Sequence, residues 1–393
     1  MNNLNPITSP LSINFPLQPN SVTWVEVNKS AVEHNIQTYK NIVGPLVNLA
    51  VVVKSNAYGH GILNIATIAE QHHSVAYLCV VNLSEALYLR SAGITKPILV
   101  LSYIDAPIES ALLNNIDLVV FDFSTAQSIN LHATTLGLTA HVHVKIDTGL
   151  SRLGYRDIKA LEMVLRITAL KNMSIKGIFT HLANSEHKDQ HFVHQQLQNF
   201  DAVLHNLDEQ NIHIPFKHTS CSAALLSTQQ THYNFARLGI GTYGLWPSSD
   251  NKTLAQLSLP HVKLKPALTW KTKIIHIKTV PVESTIGYDR TYQTNRDTKI
   301  AVLPIGYYEG YDRKFSNRGV VLINNRCARV IGRISMNLTT VDITDIPGAE
   351  VGMPVTLLGD NGPVSAEALA EALGTINYEV VTRINPCIPR VLT

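Results

Sequence analysis

Between about Asn48 and Gly241, short apolar runs the length of a strand alternate with longer stretches of helical period, and few folds accept that order. Strand and helix in regular alternation build βα units around a parallel sheet. The predicted strands are Leu49 to Val53, Ala76 to Val80, Ile98 to Leu101, Leu118 to Phe121, His141 to Ile146, Ile175 to Thr180, Pro215 to His218 and Phe235 to Leu238. Helical segments such as Ile62 to Glu70, Leu83 to Ala92, Ile158 to Ala169 and Phe192 to Asn211 fall between them. Eight such units close a (β/α)8, TIM-like barrel of the α/β class, whose chemistry gathers at the C-terminal ends of its strands. Lys54, His181, the Ser220-Cys221-Ser222 group and Arg237 each end or follow a predicted strand.

Beyond about Leu259 the texture changes to short alternating runs punctuated by Gly, Pro and Asn, including Lys273 to Thr279, Ile300 to Leu303, Gly319 to Ile323 and Val355 to Leu358. This predicts a β-rich C-terminal domain. The expected organisation is a flexible tail over 1–21, the barrel over 22–258 and the β-rich domain over 259–393, with the boundary in the polar stretch Pro247 to Leu259.

A chain of 393 residues with 45% hydrophobic content buries a core of enzyme size. Its net charge of +3, from 32 basic against 29 acidic residues without a long basic block, gives no reason to expect nucleic acid or an anionic membrane as partner. Cys79, Cys221, Cys327 and Cys387 are too widely spread for a zinc site and too few for a disulfide scaffold, which suits a reducing, cytoplasmic setting and no metal. The first twenty residues lack the charged start and apolar core of a signal peptide, and no apolar run approaches the ~18 residues of a membrane span.

In Ala50-Val51-Val52-Val53-Lys54-Ser55-Asn56-Ala57-Tyr58-Gly59-His60-Gly61, one lysine follows a run of apolar, mostly β-branched residues and precedes a glycine-rich turn. An amine at the mouth of a buried strand loses solvation, its pKa falls, and it becomes available for Schiff-base chemistry with an aldehyde; a solvated surface lysine is the plainer alternative. His141, His143 and Lys145 alternate, so they share one face of a strand, and an interior Lys145 needs a partner. The run from His218 to Ser222 offers hydroxyls and backbone donors ahead of a helix, suited to a phosphate or to a plain cap. Arg237-Leu238-Gly239-Ile240-Gly241-Thr242-Tyr243-Gly244 sets an arginine among glycines that let backbone amides approach an anion.

The segment around Lys54 closely resembles the cofactor-lysine segment of alanine racemases, which carry pyridoxal 5′-phosphate, and the resemblance extends through separated motifs from roughly Trp24 to Arg390. It implies that Lys54 carries the cofactor and acts as one catalytic base while Tyr288, contributed by the partner subunit of a homodimer, acts as the second. It implies cofactor contacts from Tyr58, His181, Ser222, Arg237, Gly239, Ile240 and Tyr378, with Ser222 and the Gly239 and Ile240 backbone at the phosphate. Arg237 would face the pyridine nitrogen, and because arginine stays charged it cannot protonate that nitrogen. Arg152, Met336 and Tyr307 would contact substrate, and Lys145 would carry a carbamate that positions Arg152. Relatives commonly have Asn where this chain has Cys221 and Asp where it has Asn337.

The implied activity is that of a cytoplasmic isomerase interconverting L- and D-alanine and supplying D-alanine for peptidoglycan. The nearest alternative is a broad-specificity or other amino-acid racemase of the same fold. An amino-acid decarboxylase and a non-catalytic cofactor carrier are more distant.

Overall fold

A computed structural model describes residues 21–360 and 362–393; all of the tail expected over 1–21 except Ser21 lies outside the described residues. Two compact units are present. One comprises Val32–Ser55 and Ile65–Leu264, the other the N-terminal segment through Ala31, Asn56–Asn64 and Lys265–Thr393. After β1 (Thr23–Val27), which belongs to the second unit, the first unit carries β2 (Asn48–Val52), β3 (Val75–Asn82), β4 (Ile98–Tyr103), β5 (Ile116–Val120), β6 (Ala140–Lys145), β7 (Met173–Phe179), β8 (Phe216–His218) and β9 (Phe235–Leu238).

These eight strands pair in parallel in the order β8-β7-β6-β5-β4-β3-β2-β9, and each lies within two residues of its predicted span. Most were readable because strands covered on both faces are rich in apolar residues, although β6 and β7 also carry His and Lys side chains. All five residues of β5 are buried, as are four of the five of β2. The intervening helices carry local start signals: Asn82 Oδ1 accepts the Glu85 N–H at the head of Leu83–Ser91, and Asp122 caps Phe123–Leu136.

The ring closes between β8 and β9 without a ladder of its own. Asn234 Oδ1 accepts the Lys217 N–H at 2.8 Å, Asn234 Nδ2 donates to the Pro215 carbonyl at 2.7 Å, and the Arg237 N–H donates to the Ser220 carbonyl at 3.2 Å. One asparagine thus supplies both an acceptor and a donor where backbone pairing stops.

The second unit holds a nine-stranded sheet formed by β1 with β10 (Leu268–Lys273), β11 (His276–Val280), β14 (Thr298–Leu303), β15 (Val320–Ile323), β16 (Arg326–Val330), β17 (Thr339–Asp342), β18 (Pro354–Leu358) and β19 (Arg390–Leu392). A separate hairpin joins β12 (Thr285–Ile286) to β13 (Tyr292–Gln293). Along β10, Leu268, Trp270 and Thr272 are buried and alternate with more accessible neighbours, the period expected of a sheet with two unlike faces.

Three expectations are revised. The barrel does not begin at residue 22: β1 pairs antiparallel with β10 and parallel with β19, and its buried Val25 and Val27 alternate with Trp24 and Glu26. The polar stretch Pro247 to Leu259 is not the boundary: it holds the helix Ser249–Ser258, whose Ser248 Oγ accepts the Asn251 N–H, and the division falls after Leu264. That helix buries Asn251 and Ala255, so it lacks the apolar stripe that identifies a helix in sequence. The run Lys273 to Thr279 is two strands, because the chain changes partners there, β10 pairing with β18 and β11 with β14. Among the described residues no helix is long and apolar enough to cross a membrane.

Asn234→Ala strips the closure of both side-chain bonds and leaves the Lys217 N–H unpaired, so it should cost about 1–3 kcal/mol. The expected result is a thermal midpoint lower by several degrees with catalytic constants retained; an unchanged midpoint would show that closure does not depend on this side chain.

Candidate active site

β2 ends in buried Val51, Val52 and Val53, and the chain then emerges as Lys54. The following turn, Lys54–Tyr58, is helical but left-handed: φ is +55° at Ser55, +54° at Asn56, +51° at Ala57 and +54° at Tyr58. Four consecutive non-glycine residues in this region cost on the order of 1–2 kcal/mol each. The Asn56 carbonyl accepts the Gly61 N–H at 3.0 Å and Asn56 Oδ1 accepts the Ile62 N–H at 2.9 Å, holding the far end of the turn. Gly59 is required at its exit, since φ is +85° and a Cβ would lie 2.1 Å from the Val381 carbonyl oxygen.

Lys54 is half-buried, and its amine has no hydrogen-bond partner among the described residues. Burial and the Arg152 guanidinium hold its pKa below the ordinary lysine value, against an opposing pull from Glu85. Lys145, at the end of β6, is lowered to about 8 by burial and by Arg152 and Arg237. No carboxylate pairs with its ammonium among the described residues; the amine stands 5.4 Å from the centre of the Phe179 ring. The acid expected beside Lys145 does not pair with it: Asp117 lies instead 3.7 Å from His143 Nε2, two residues back along β6, and 3.0 Å from Lys176 Nζ. Arg152 sits on an exposed loop anchored by Asp147, whose Oδ1 accepts the Gly149 and Ser151 N–H groups and whose Oδ2 accepts from Arg156 Nε.

Arg237, buried on β9, spends both terminal nitrogens inside the protein. Nη1 donates to His218 Nδ1 at 2.7 Å and to the His218 carbonyl; Nη2 donates to the Thr180 and Thr219 carbonyls and, at 3.3 Å, to His181 Nδ1. A guanidinium only donates, so it dictates the tautomers behind it. His218 Nδ1 must accept, His218 Nε2–H then donates to His143 Nδ1 at 2.9 Å, and His143 Nε2–H points toward Asp117. The Arg237 Nε–H has no partner among the described residues. Burial draws Arg237 down to about 10, which leaves it cationic near neutrality. His181 is held far below the usual histidine range by burial and by Arg237, Lys145, Arg152 and Lys54, so it is neutral.

Ser222 opens the helix Ser222–Ser227, and its Oγ accepts the N–H groups of Gly239 at 2.9 Å and Gly241 at 3.1 Å. With both acceptor positions used, its hydroxyl hydrogen is left to donate. The Gly239 N–H is therefore engaged within the protein, whereas the Ile240 N–H heads the 3-10 turn Ile240–Tyr243 and has no partner inside that turn. Gly241 serves packing: a Cβ there would fall 2.4 Å from the Tyr39 ring. Cys221 occupies the helix N-cap without a side-chain cap bond.

The remaining predicted site residues lie in the second unit. The Tyr58 and Tyr378 rings are 6.1 Å apart. Tyr288 follows Gly287 in a short 3-10 turn and is 68% exposed. The Tyr307 N–H donates to the Ser335 carbonyl and the Tyr308 N–H to the Met336 carbonyl, joining the Tyr307 and Met336 loops. Asn337 Nδ2 donates to Glu309 Oε1 at 2.7 Å while Glu309 Oε2 accepts the Gly306 N–H, a second tie between the same loops. The site residues thus form two sets: Lys54, Lys145, Arg152, His181, Ser222, Arg237, Gly239 and Ile240 on the barrel, and Tyr58, Tyr288, Tyr307, Met336 and Tyr378 on the β-rich unit.

Sequence reasoning missed Glu85, Asp147, Arg156, His218 and Glu309 as parts of this construction. The spacing Asn82-Leu83-Ser84-Glu85 is that of a capping box and could have drawn attention to Glu85. The others are joined to the site by contacts that no local pattern reveals.

Two family models cover most of the chain: alanine racemase, N-terminal domain, over residues 27–247, and alanine racemase, C-terminal domain, over 267–392. The alanine racemase of Methanococcus maripaludis is 39% identical over 372 residues, covering 94% of this chain and 98% of that protein. That of Clostridium perfringens is 38% identical, covering 94% of each. Among solved structures, the alanine racemase of Clostridium difficile 630 superposes with a TM-score of 0.89 at 35% identity, covering 96% of this chain and 97% of that one. The Bacillus anthracis alanine racemase with bound L-Ala-P gives 0.87 at 34%, covering 96% of each. Identity of this order over nearly the full length, with the barrel and β-rich units both matched, means that the chain belongs to the alanine racemase family.

Proposed function

We propose that this chain interconverts L- and D-alanine with pyridoxal 5′-phosphate held on Lys54, supplying D-alanine for peptidoglycan. The observation that carries the reading is the half-buried Lys54 amine, without a hydrogen-bond partner among the described residues, on a barrel whose mouth also holds Arg152, Lys145 and Arg237. Full-length kinship with proteins named alanine racemase favours alanine over a broader racemase specificity.

The donor set fits the cofactor. An amine suits its aldehyde, the Ser222 hydroxyl hydrogen and the Ile240 N–H suit its phosphate, and the free Arg237 Nε–H suits an unprotonated ring nitrogen. Tyr58 and Tyr378 would complete the phosphate contacts and neutral His181 would lie against the ring. When bound, the cofactor supplies an electron-withdrawing ring that acidifies the α-C–H of the amino acid attached to it. Arg152 and the Met336 N–H would hold the substrate carboxylate, with Tyr307 beside them.

Inversion at carbon requires a proton to leave one face and another to arrive on the opposite face, which one fixed group does poorly. Lys54, whose amine would be released from the cofactor when the substrate amine takes its place, would take the α-proton on one face while the Tyr288 phenol would deliver its proton on the other; the reverse direction exchanges the roles. In this reading Tyr288 is supplied by the second subunit of a homodimer, which its exposure within a single chain supports. Lys145 would attack carbon dioxide as the free amine, forming a C–N bond and releasing a proton to solvent. The carbamate anion so formed would hold Arg152.

Borohydride reduction of the loaded protein should fix the cofactor on Lys54, read by peptide mass; label on another lysine would refute the assignment. Tyr288→Phe should slow α-proton exchange from one enantiomer by about 10²–10⁴-fold and from the other far less, followed by deuterium uptake, and equal losses would rule out a one-sided role. For Lys145, ¹³C-bicarbonate should give a carbamate carbon signal that disappears in Lys145→Met. In bicarbonate-free buffer the sign of its effect on stability is fixed: with a folded-state value of about 8, below the ordinary one, the unfolded chain binds more protons between the two, so stability at this position rises with pH through that window. Urea unfolding of the cofactor-free protein should therefore show the advantage of Lys145→Met shrinking as pH rises from about 7 to about 10; a constant difference would contradict the buried, depressed amine.

A further inference from the structure

We propose that Glu85 is a positioning residue for Lys54: its buried carboxylate ties the peptide that follows Lys54 to the end of the neighbouring strand and so fixes the reactive amine at the mouth of β2. Glu85 Oε1 accepts the Ser55 N–H at 2.6 Å and Oε2 accepts the Val81 N–H at 3.0 Å, while the side chain is 8% exposed. The proposal rests on the reading of Lys54 as the cofactor lysine.

The geometry departs from what the local sequence would produce by itself. In a capping box the glutamate returns to the N–H of the N-cap residue, here Asn82. Asn82 does its half, accepting the Glu85 N–H at 3.0 Å, but the Glu85 carboxylate reaches past it to Val81 and across to Ser55. A carboxylate placed near the first turn of a helix is favoured by the helix dipole, which offsets part of the cost of burying it. Ser55 is the first residue of the strained left-handed turn, so the bond restrains the peptide where the chain leaves the strand and before the strain begins.

The charge matters as well as the reach. Lys54 is faced by the cations Arg152 and Lys145, and Glu85 is the carboxylate that opposes them; Glu85 in turn is faced by Asp105. Both partners of Glu85 are backbone N–H donors, so two acceptors are needed. A glutamine presents one acceptor and one NH₂ and cannot satisfy both, and it removes the charge. An aspartate keeps the charge and is one methylene too short to span the two amides.

The test is the rate at which pyridoxal 5′-phosphate is trapped on Lys54 by cyanoborohydride in the full-length, cofactor-stripped protein, followed by peptide mass against pH. Glu85→Asp should keep the wild-type pH midpoint and lose about tenfold or more in plateau rate. Glu85→Gln should lose as much and shift the midpoint to lower pH by about half a unit or more. A purely structural role would lower the melting temperature of either variant and leave both the midpoint and the folded-protein rate at wild-type values, which would overturn the proposal. Absence of label on Lys54 in the wild-type protein would instead overturn the assignment of the cofactor lysine itself.

Discussion

Cationic side chains gathered with little neutralising acid determine the chemistry of the barrel. Lys54, Lys145, Arg152 and Arg237 all act on His181, and Lys54 adds to the lowering of Lys145. An arginine cannot relieve such crowding by losing its proton, but a lysine can. The arginines therefore keep the charge, while the two lysines are held below the ordinary lysine value, the direction that favours a nucleophilic amine. The same crowding makes the site receptive to anions, so on the proposed reading a phosphate, a carboxylate and a carbamate each enter a field already prepared for them.

The scaffold tolerates this only because each cation is fixed by backbone. Three carbonyls, of Thr180, His218 and Thr219, accept from Arg237. Asp147 folds the loop of Arg152 around its two oxygens without spending them on Arg152 itself. Glu85 holds the amide after Lys54. For Lys54 and Arg152 the acid secures the chain beside the functional group and leaves the cation itself out of the bond, which separates anchoring from chemistry, whereas Arg237 is held directly through its two terminal nitrogens.

That separation also explains what could be read in the sequence. The eight strands were legible because a parallel sheet covered on both faces favours short apolar-rich runs, interrupted here chiefly in β6 to β8, and Lys54, His181, Ser222 and Arg237 stood out as polar residues at or just past the ends of those runs. β1 was misassigned because a five-residue alternating strand carries no sign of a partner more than 240 residues away, Val25 pairing with Trp270. The helix Ser249–Ser258 was hidden by a buried face made of asparagine and alanine. Glu85 and Asp147 escaped notice because their partners are backbone amides, which no residue type announces. The tyrosines of the β-rich unit could not be distinguished from packing residues by pattern, and only family resemblance selected Tyr288, Tyr307 and Tyr378.

The Arg237 chain shows how a single donor-only group propagates order. Because the guanidinium accepts nothing, the tautomers of His218 and His143 are both set, and the series ends on Asp117, an acid that burial would push toward protonation and that His143 and Lys176 keep ionised instead. Replacing the arginine by a neutral acceptor would release every tautomer at once. On the proposed reading the one guanidinium hydrogen left over among the described residues, on Nε, would be available to the ring nitrogen of the cofactor. A carboxylate in its place would stabilise a proton on that nitrogen and deepen the electron sink; an arginine keeps the nitrogen bare and the sink shallow. With pyridoxal 5′-phosphate bound, an arginine at this position would therefore suit proton transfer to and from the α-carbon over the slower rearrangements that a deep sink permits.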